Sequence, residues 1–294
     1  DGPEVSAIAY GVWRLGDDPK GTSTAIVREK IDACLEFGIT TFDHADIYGL
    51  YTCEGLFGSA LKESPELRDQ MEIVTKCGIL APCDALPDVA VKHYNATADY
   101  IEACVDRSLR ELQIDMIDVL LVHRPDWLTR AENTAAGLQR VIDKGKVRSV
   151  GVSNYTTSQF DLLSSFLGNA PATNQLEVNL FHMDAMYDGT LNQCEQHGIH
   201  PMVWSPLSGG RIMTVDDSDA LRTRETLITM AKELDATPEQ VALAWVAALP
   251  SQPQVIIGTN QPGRIRESAV SESIKLSRTR WYQLWEAAQG NEVP

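Results

Sequence analysis

The stretch IDVLLVH at Ile117–His123 is followed by the apolar-periodic segment Leu138–Lys144, then by VRSVGVSN at Val147–Asn154, then by a second periodic segment at Thr157–Leu167. Short runs rich in Val, Leu and Ile read as buried strands, and segments whose apolar residues return to one face read as helices. A strand, a helix and a strand in series require a crossover, which makes the two strands parallel. The same alternation extends in both directions. Further strands are predicted at Ile8–Trp13, Thr40–Ala45, Glu72–Cys77, Ala172–Asn179, Pro201–Pro206 and Val255–Gly258. Further helices are predicted at Ala25–Phe37, Tyr100–Leu112, Leu191–His197, Pro238–Ala248 and Arg264–Ser271, with Thr237 capping the Pro238 start. Eight strand-then-helix units in 294 residues predict one α/β domain over 1–294, a single (β/α)8 TIM barrel. No GxGxxG follows the first strand, which disfavours an open dinucleotide-binding sheet. Long loops are expected after the third strand (Gly78–Thr97) and the seventh (Leu207–Leu221), and a helix at Arg278–Ala288 falls outside the eight-fold pattern.

Composition narrows the partners. The chain carries 25 Lys and Arg against 41 Asp and Glu, a formal charge of −16. A broad basic surface is therefore absent, and neither nucleic acid nor an anionic membrane is expected as a partner. No stretch of about 18 apolar residues and no signal-like start is visible, so a cytoplasmic protein is expected, as a monomer or weak homo-oligomer. The six cysteines form no CxxC pair, and most lie in apolar segments, where reduced, buried thiols are expected. His44, Asp46, His182, His197 and His200 show no HxH or HExxH spacing, so no metal is expected.

In a barrel the C-terminal strand ends converge on one site. Here those ends carry Asp43 and Tyr48 after the second strand, Lys76 at the end of the third, His123 at the end of the fourth, and Ser153-Asn154 at the end of the fifth. A phenol titrates near pH ~10 and is a poor acid at neutrality. An adjacent ammonium favours the phenolate, and a shift of about three units needs about 4 kcal/mol at ~1.36 kcal/mol per unit. Lys76 needs an anion to stay charged when buried, and Asp43 is the expected partner. His123 is expected to orient a substrate oxygen. The set amounts to a proton donor with an electrostatic tuner, suited to a developing alkoxide. Trp13 and Trp127 follow strands one and four and are expected to wall a substrate pocket, while Arg124, Arg148 and Arg266 read as surface or loop charges.

With these residues in place the sequence resembles an aldo-keto reductase over essentially its whole length. The family's Asp, Tyr, Lys and His tetrad falls on Asp43, Tyr48, Lys76 and His123. Glu54 with Gly58-Ser59-Ala60-Leu61, Gly145-Lys146-Val147-Arg148 with Gly151-Val152-Ser153-Asn154, Asn174-Gln175, Trp204-Ser205-Pro206-Leu207, and Ile257-Gly258-Thr259 with Arg264-Ile265-Arg266-Glu267 follow in family order. The resemblance implies reduction of an aldehyde or ketone with NADP(H), and NAD(H) as the second choice. It implies that Ser153, Asn154 and Gln175 bond the carboxamide and that Trp204 stacks on the nicotinamide. Ser205, Leu207, Gly209 and Gly210 would hold the pyrophosphate, with Arg211 in a loop that closes over it. Thr259 and Arg264 would face the 2′-phosphate and Glu267 the adenine. Gly258 stands where the family often has Lys, and Ser268 where it often has Asn, which leaves Arg264 as the main attraction for the 2′-phosphate. Some relatives of the fold are regulatory subunits that bind NADP and turn over slowly, and a metal-dependent hydrolase is a third reading of the same barrel.

Overall fold

The computed structural model describes residues 3–293. Its centre is a closed barrel of eight parallel strands: β1 Ile8–Gly11, β2 Thr41–Asp43, β3 Glu72–Cys77, β4 Ile117–Val122, β5 Val147–Ser153, β6 Asn174–Glu177, β7 Met202–Trp204 and β8 Gln254–Ile257. Each strand pairs with its neighbours in sequence, and β8 closes against β1 through Ile8 opposite Val255 and Tyr10 opposite Ile257. The register sets the site. Ser153 lies opposite Gln175, Glu177 opposite Trp204 and Lys76 opposite Leu121, so their polar ends emerge at one rim.

Apolar residues fill the barrel interior: Ala9, Val74, Val119, Leu121, Met202 and Ile256 form their own cluster. The opposite faces of the strands pack on the outer helices, of which α1 Thr24–Glu36, α2 Cys53–Glu63, α3 Ala98–Leu112, α4 Ala131–Asp143, α5 Thr157–Leu167 and α6 Thr190–His197 follow β1 to β6. α5 starts on a reciprocal cap in which Gln159 N donates to Thr156 Oγ1 and Thr156 N donates to Gln159 Oε1. No helix among the described residues is long and apolar enough to cross a membrane.

Two helices, α7 Ser218–Leu234 and α8 Pro238–Ala247, separate β7 from β8, and α9 Pro262–Val270 and α10 Arg278–Gln289 complete the chain. α7 begins inside the expected loop Leu207–Leu221, where Asp217 accepts from the backbone N–H of Asp219 and Ala220. The loop also holds a helical turn at Arg211–Thr214. The other long loop, Gly78–Thr97, carries a two-stranded ribbon of Ile79–Leu80 against His93–Tyr94. β1 is shorter than its apolar run, because the chain turns into a 3-10 segment at Val12–Asp17. α10 docks through Trp281, which stacks on Trp245 with ring centroids 4.7 Å apart. The two indoles exchange N–H···O bonds with each other's backbone.

α2 and α3 approach closely at Gly58. A Cβ there would lie 2.0 Å from the carbonyl oxygen of Glu111 and 2.8 Å from the carbonyl carbon of Leu112. Backbone cannot move aside as a side chain can. Gly58→Ala is therefore expected to destabilise the fold by about 3 kcal/mol, the upper end of ordinary overpacking. Gly55→Ala, one turn earlier, meets only the flexible end of Glu111 at 3.3 Å. It is expected to be neutral or stabilising by up to about 1 kcal/mol from helix propensity. Denaturant midpoints of the two variants check the contrast.

Candidate active site

Lys76, next to last in β3, has no exposed surface, and an ammonium so placed needs all of its donors satisfied. It has three acceptors: Nζ donates to Asp43 Oδ2 at 2.8 Å, to the His44 carbonyl at 2.7 Å and to Tyr48 Oη at 3.0 Å. Three donors on three acceptors match the charged ammonium. Because Tyr48 Oη accepts from Lys76, its own O–H is left free to donate elsewhere. Asp43 Oδ1 is taken by Gln175 Nε2 at 2.8 Å. Asp43, Tyr48 and Lys76 are thus one hydrogen-bonded unit, positioned by the ends of β2 and β3 and the turn that returns Tyr48 to the rim.

The electrostatics differ from the sequence expectation in one respect. Burial pushes the Lys76 ammonium down, but Asp43 and Tyr48 outweigh it and the group titrates above the ordinary lysine range. Burial also pushes the Tyr48 phenol up, Lys76 pulls it down and Asp43 pushes it up again; the net position is above that of a free tyrosine. The ammonium therefore does not create a resting acidic phenol. It offsets a desolvation cost and stands where a phenolate would form. Burial holds His123 well below the usual imidazole range, with Lys76, Arg124 and Lys92 adding to the effect. His123 is neutral at neutral pH, and its ring meets that of Tyr48 edge-on at 6.0 Å.

Tyr48 and His123 open on a cavity of about 1570 Å3 that runs across the barrel mouth. Trp13, Ser153, Asn154, Gln175, Trp204, Ser205, Leu207, Gly209, Gly210, Thr259, Arg264 and Glu267 all line it. Trp204 Nε1 donates to Asn154 Oδ1 at 3.2 Å and Asn154 Nδ2 to Ser153 Oγ at 2.7 Å, so these side chains form a fixed polar strip. Asn154 and Ser205 hold left-handed backbone, φ 58° and 50°, a strain that clusters at ligand sites. Arg14 Nη2 donates to the Gly209 carbonyl at 3.4 Å and Asn260 Nδ2 to the Arg14 carbonyl at 2.6 Å, linking the loops after β1, β7 and β8.

Two expected residues lie elsewhere. Trp127 does not wall the cavity: it is 82 % exposed, because Asp126 accepts from Leu128 N, Thr129 Oγ1 and Ala96 N and turns the intervening indole outward. Arg211 faces away from the lining, paired with Asp217 at 2.8 Å and set 4.4 Å from the Phe181 ring. Conversely, Arg124, read as a surface charge, lines the cavity together with Lys92 and Tyr94 from the ribbon loop. The sequence signal was available for Arg124, since it directly follows His123 at a strand end. Among the described residues no three of His, Cys, Asp and Glu converge as metal ligands.

Comparison with known proteins agrees with this architecture. The Aldo/keto reductase family model matches residues 7–289. The chain is 43 % identical over 290 residues to a 6-dehydroglucose reductase of Agrobacterium fabrum, covering 99 % of this chain and 96 % of that protein. It is 44 % identical over 294 residues to the oxidoreductase YdhF of Escherichia coli, covering 100 % and 97 %. Among solved structures, an aldo-keto reductase from Klebsiella pneumoniae in complex with NADPH superposes with a TM-score of 0.78 at 27 % identity, over 95 % of this chain and 90 % of that one. A glycerol dehydrogenase from Gluconobacter oxydans shares the fold with a TM-score of 0.86, over 99 % and 94 % of the two chains, at 22 % identity. On its sequence, its closed eight-stranded barrel and the arrangement at its rim, the chain belongs to the aldo/keto reductase family.

Proposed function

We propose that this protein reduces an aldehyde or ketone to an alcohol with NADPH, and that Tyr48 gives the proton to the carbonyl oxygen. The observation that carries the reading is the position of Tyr48 Oη: it accepts from the Lys76 ammonium at 3.0 Å and keeps its own O–H available beside His123 at the cavity. When bound, NADPH supplies the hydride. Every other part falls to the chain. His123, neutral, donates a ring N–H to the carbonyl oxygen and aligns it with Tyr48. As charge develops on that oxygen Tyr48 releases its proton, and Lys76 stabilises the phenolate left behind while Asp43 keeps Lys76 in place.

The lining residues fit an extended dinucleotide. Ser153 and Asn154 present a fixed polar edge, and the side-chain oxygen of Gln175 takes no partner among the described residues. Trp204 offers a ring face for the nicotinamide. A Cβ on Gly209 or Gly210 would meet nothing within 4 Å, so the backbone there is open to phosphate oxygens, alongside Ser205 and Leu207. Arg264 sits in the first turn of α9, is exposed and has no carboxylate partner among the described residues, whereas Arg266 is held by Glu36 at 3.2 Å. Arg264 with Thr259 is the assigned 2′-phosphate site, and Glu267 faces the adenine.

Steady-state oxidation of NADPH across aldehydes and ketones tests the activity; no turnover with any carbonyl overturns it. Arg264→Ala is expected to weaken NADPH by about tenfold or more while NADH changes little, since only the former carries the phosphate that a guanidinium grips. Equal losses measured by titration would move the 2′-phosphate elsewhere.

A further inference from the structure

Arg124 is half-buried at the carbonyl end of the cavity, its guanidinium carbon 6.0 Å from the centroid of the Trp204 ring. Every other half-buried arginine among the described residues is paired with a carboxylate. Arg124 is the exception, and it makes no hydrogen bond to any of the described residues. The nearest acid in sequence, Asp126, spends its oxygens on Ala96 N, Leu128 N and Thr129 Oγ1. Lys92 also lines this end of the cavity and has no carboxylate partner among the described residues. The one carboxylate there, Asp43, is committed to Lys76 and Gln175. The other acids that line the cavity, Asp17, Asp18, Glu29, Glu239 and Glu267, come from the segment after β1 and from α1, α8 and α9, and none of them pairs with Arg124 or Lys92. A chain of net charge −16 thus leaves two cations unanswered beside the reacting carbonyl. A partly desolvated guanidinium costs free energy unless an acceptor arrives, and its planar fork fits a carboxylate or phosphate.

We propose that the substrate is an anionic carbonyl compound, an aldehyde or ketone whose carboxylate or phosphate is gripped by Arg124 with help from Lys92. The assignment rests on the reductase reading above. In that arrangement His123 and Tyr48 hold the carbonyl oxygen while its neighbour in sequence, Arg124, fixes the opposite end, so a single strand end measures the distance between the two groups. Affinity for the charged group also falls with added salt, since Lys92 is exposed.

Matched pairs separate charge from size and one anion from another: succinic semialdehyde against butanal, and glyceraldehyde 3-phosphate against glyceraldehyde, each with NADPH. For at least one pair, wild-type kcat/KM is expected to favour the charged member by about 10- to 100-fold, mostly through KM. Whichever pair shows it identifies the anion. Arg124→Gln should collapse that ratio, Arg124→Lys should restore part of it, and NADPH affinity and the thermal midpoint should stay near wild type. No preference for either charged member, or a ratio unchanged in Arg124→Gln, overturns the proposal. A preference for uncharged glyceraldehyde over every other substrate overturns it too, in favour of hydroxyl recognition. Turnover of butanal without charge preference sinks this inference and leaves the reductase reading standing. Where no carbonyl is turned over, equilibrium binding decides: succinate and glycerol 3-phosphate are titrated against the NADP complex of wild type and Arg124→Gln. Binding of either anion weakened tenfold in the variant supports the site, and identical or absent binding rejects it.

Discussion

Replacing Tyr48 by Phe is expected to lower kcat/KM for carbonyl reduction by about 10^2- to 10^4-fold while NADPH affinity stays within about twofold. That is about 3–5 kcal/mol of barrier at ~1.36 kcal/mol per tenfold. The substitution removes one oxygen. Lys76 loses one of its three acceptors but keeps Asp43 Oδ2 and the His44 carbonyl, so the buried charge remains compensated and the barrel remains folded. The strip of Ser153, Asn154 and Trp204, proposed to face the cofactor, makes no hydrogen bond to the phenol's oxygen. On the proposed reading, what disappears is the proton. Single-turnover absorbance of bound NADPH after mixing with substrate isolates this step, and near-normal rates would assign the proton to another group.

The pH profile carries the same argument in a different observable. An acid loses function as pH rises through its pKa, and the phenol of Tyr48 lies above the free-tyrosine value. A hydrogen-bonding imidazole loses function as pH falls through its pKa, and His123 lies well below the usual range. Both limits therefore move outward. Reduction is expected to be flat between about pH 6 and about pH 9, without the inflection near pH ~6.5 that an ordinary histidine produces. On the proposed reading Tyr48 supplies a proton throughout that window, and Lys76 lowers the cost of parting with it.

Periodicity made the barrel readable because the feature needed, strand then helix, is local and repeats eight times. The elements missed or misplaced depended on longer-range terms. α7 opens with a largely polar stretch, Ser218–Thr226, and its buried Leu227, Met230 and Ala231 lie on a helix that packs against α8, α10 and the turn at Arg211–Thr214. Asp43, Tyr48 and Lys76 could be grouped from their strand ends alone, and the structure brings them within hydrogen-bonding distance. The sign of the phenol's shift could not, because desolvation depends on how much chain covers the ring. Trp127 and Arg124 exchanged places for a related reason. Both follow β4, and the choice of which turns inward is made by the Asp126 side chain, whose partners Ala96, Leu128 and Thr129 include a residue from the ribbon loop. Its place after the strand pointed to the indole for the pocket, while the turn held by Asp126 gave that position to the guanidinium.

Lys76→Met is expected to destabilise the fold by about 3–5 kcal/mol and to abolish measurable reduction. The side chain is fully buried, and Met matches its length without its charge. Loss of the ammonium leaves Asp43, only 2 % exposed, with Gln175 as its sole side-chain partner, and leaves the His44 carbonyl without its donor. An uncompensated buried carboxylate is the larger cost. The thermal midpoint should fall by about 10 °C, at roughly 2–4 °C per kcal/mol for a domain of this size. The double variant Asp43→Asn with Lys76→Met tests the cause: it removes both charges, keeps an oxygen for Gln175 to bond, and should recover most of the lost stability, since deleting both partners of a buried pair is often close to neutral. Activity should not return with it. Stability and catalysis then separate, because the fold requires only that the charges cancel, whereas the reaction requires an ammonium next to the phenol. Recovery of turnover in the double variant, or a Lys76→Met protein as stable as wild type, would contradict the assignment of this pair.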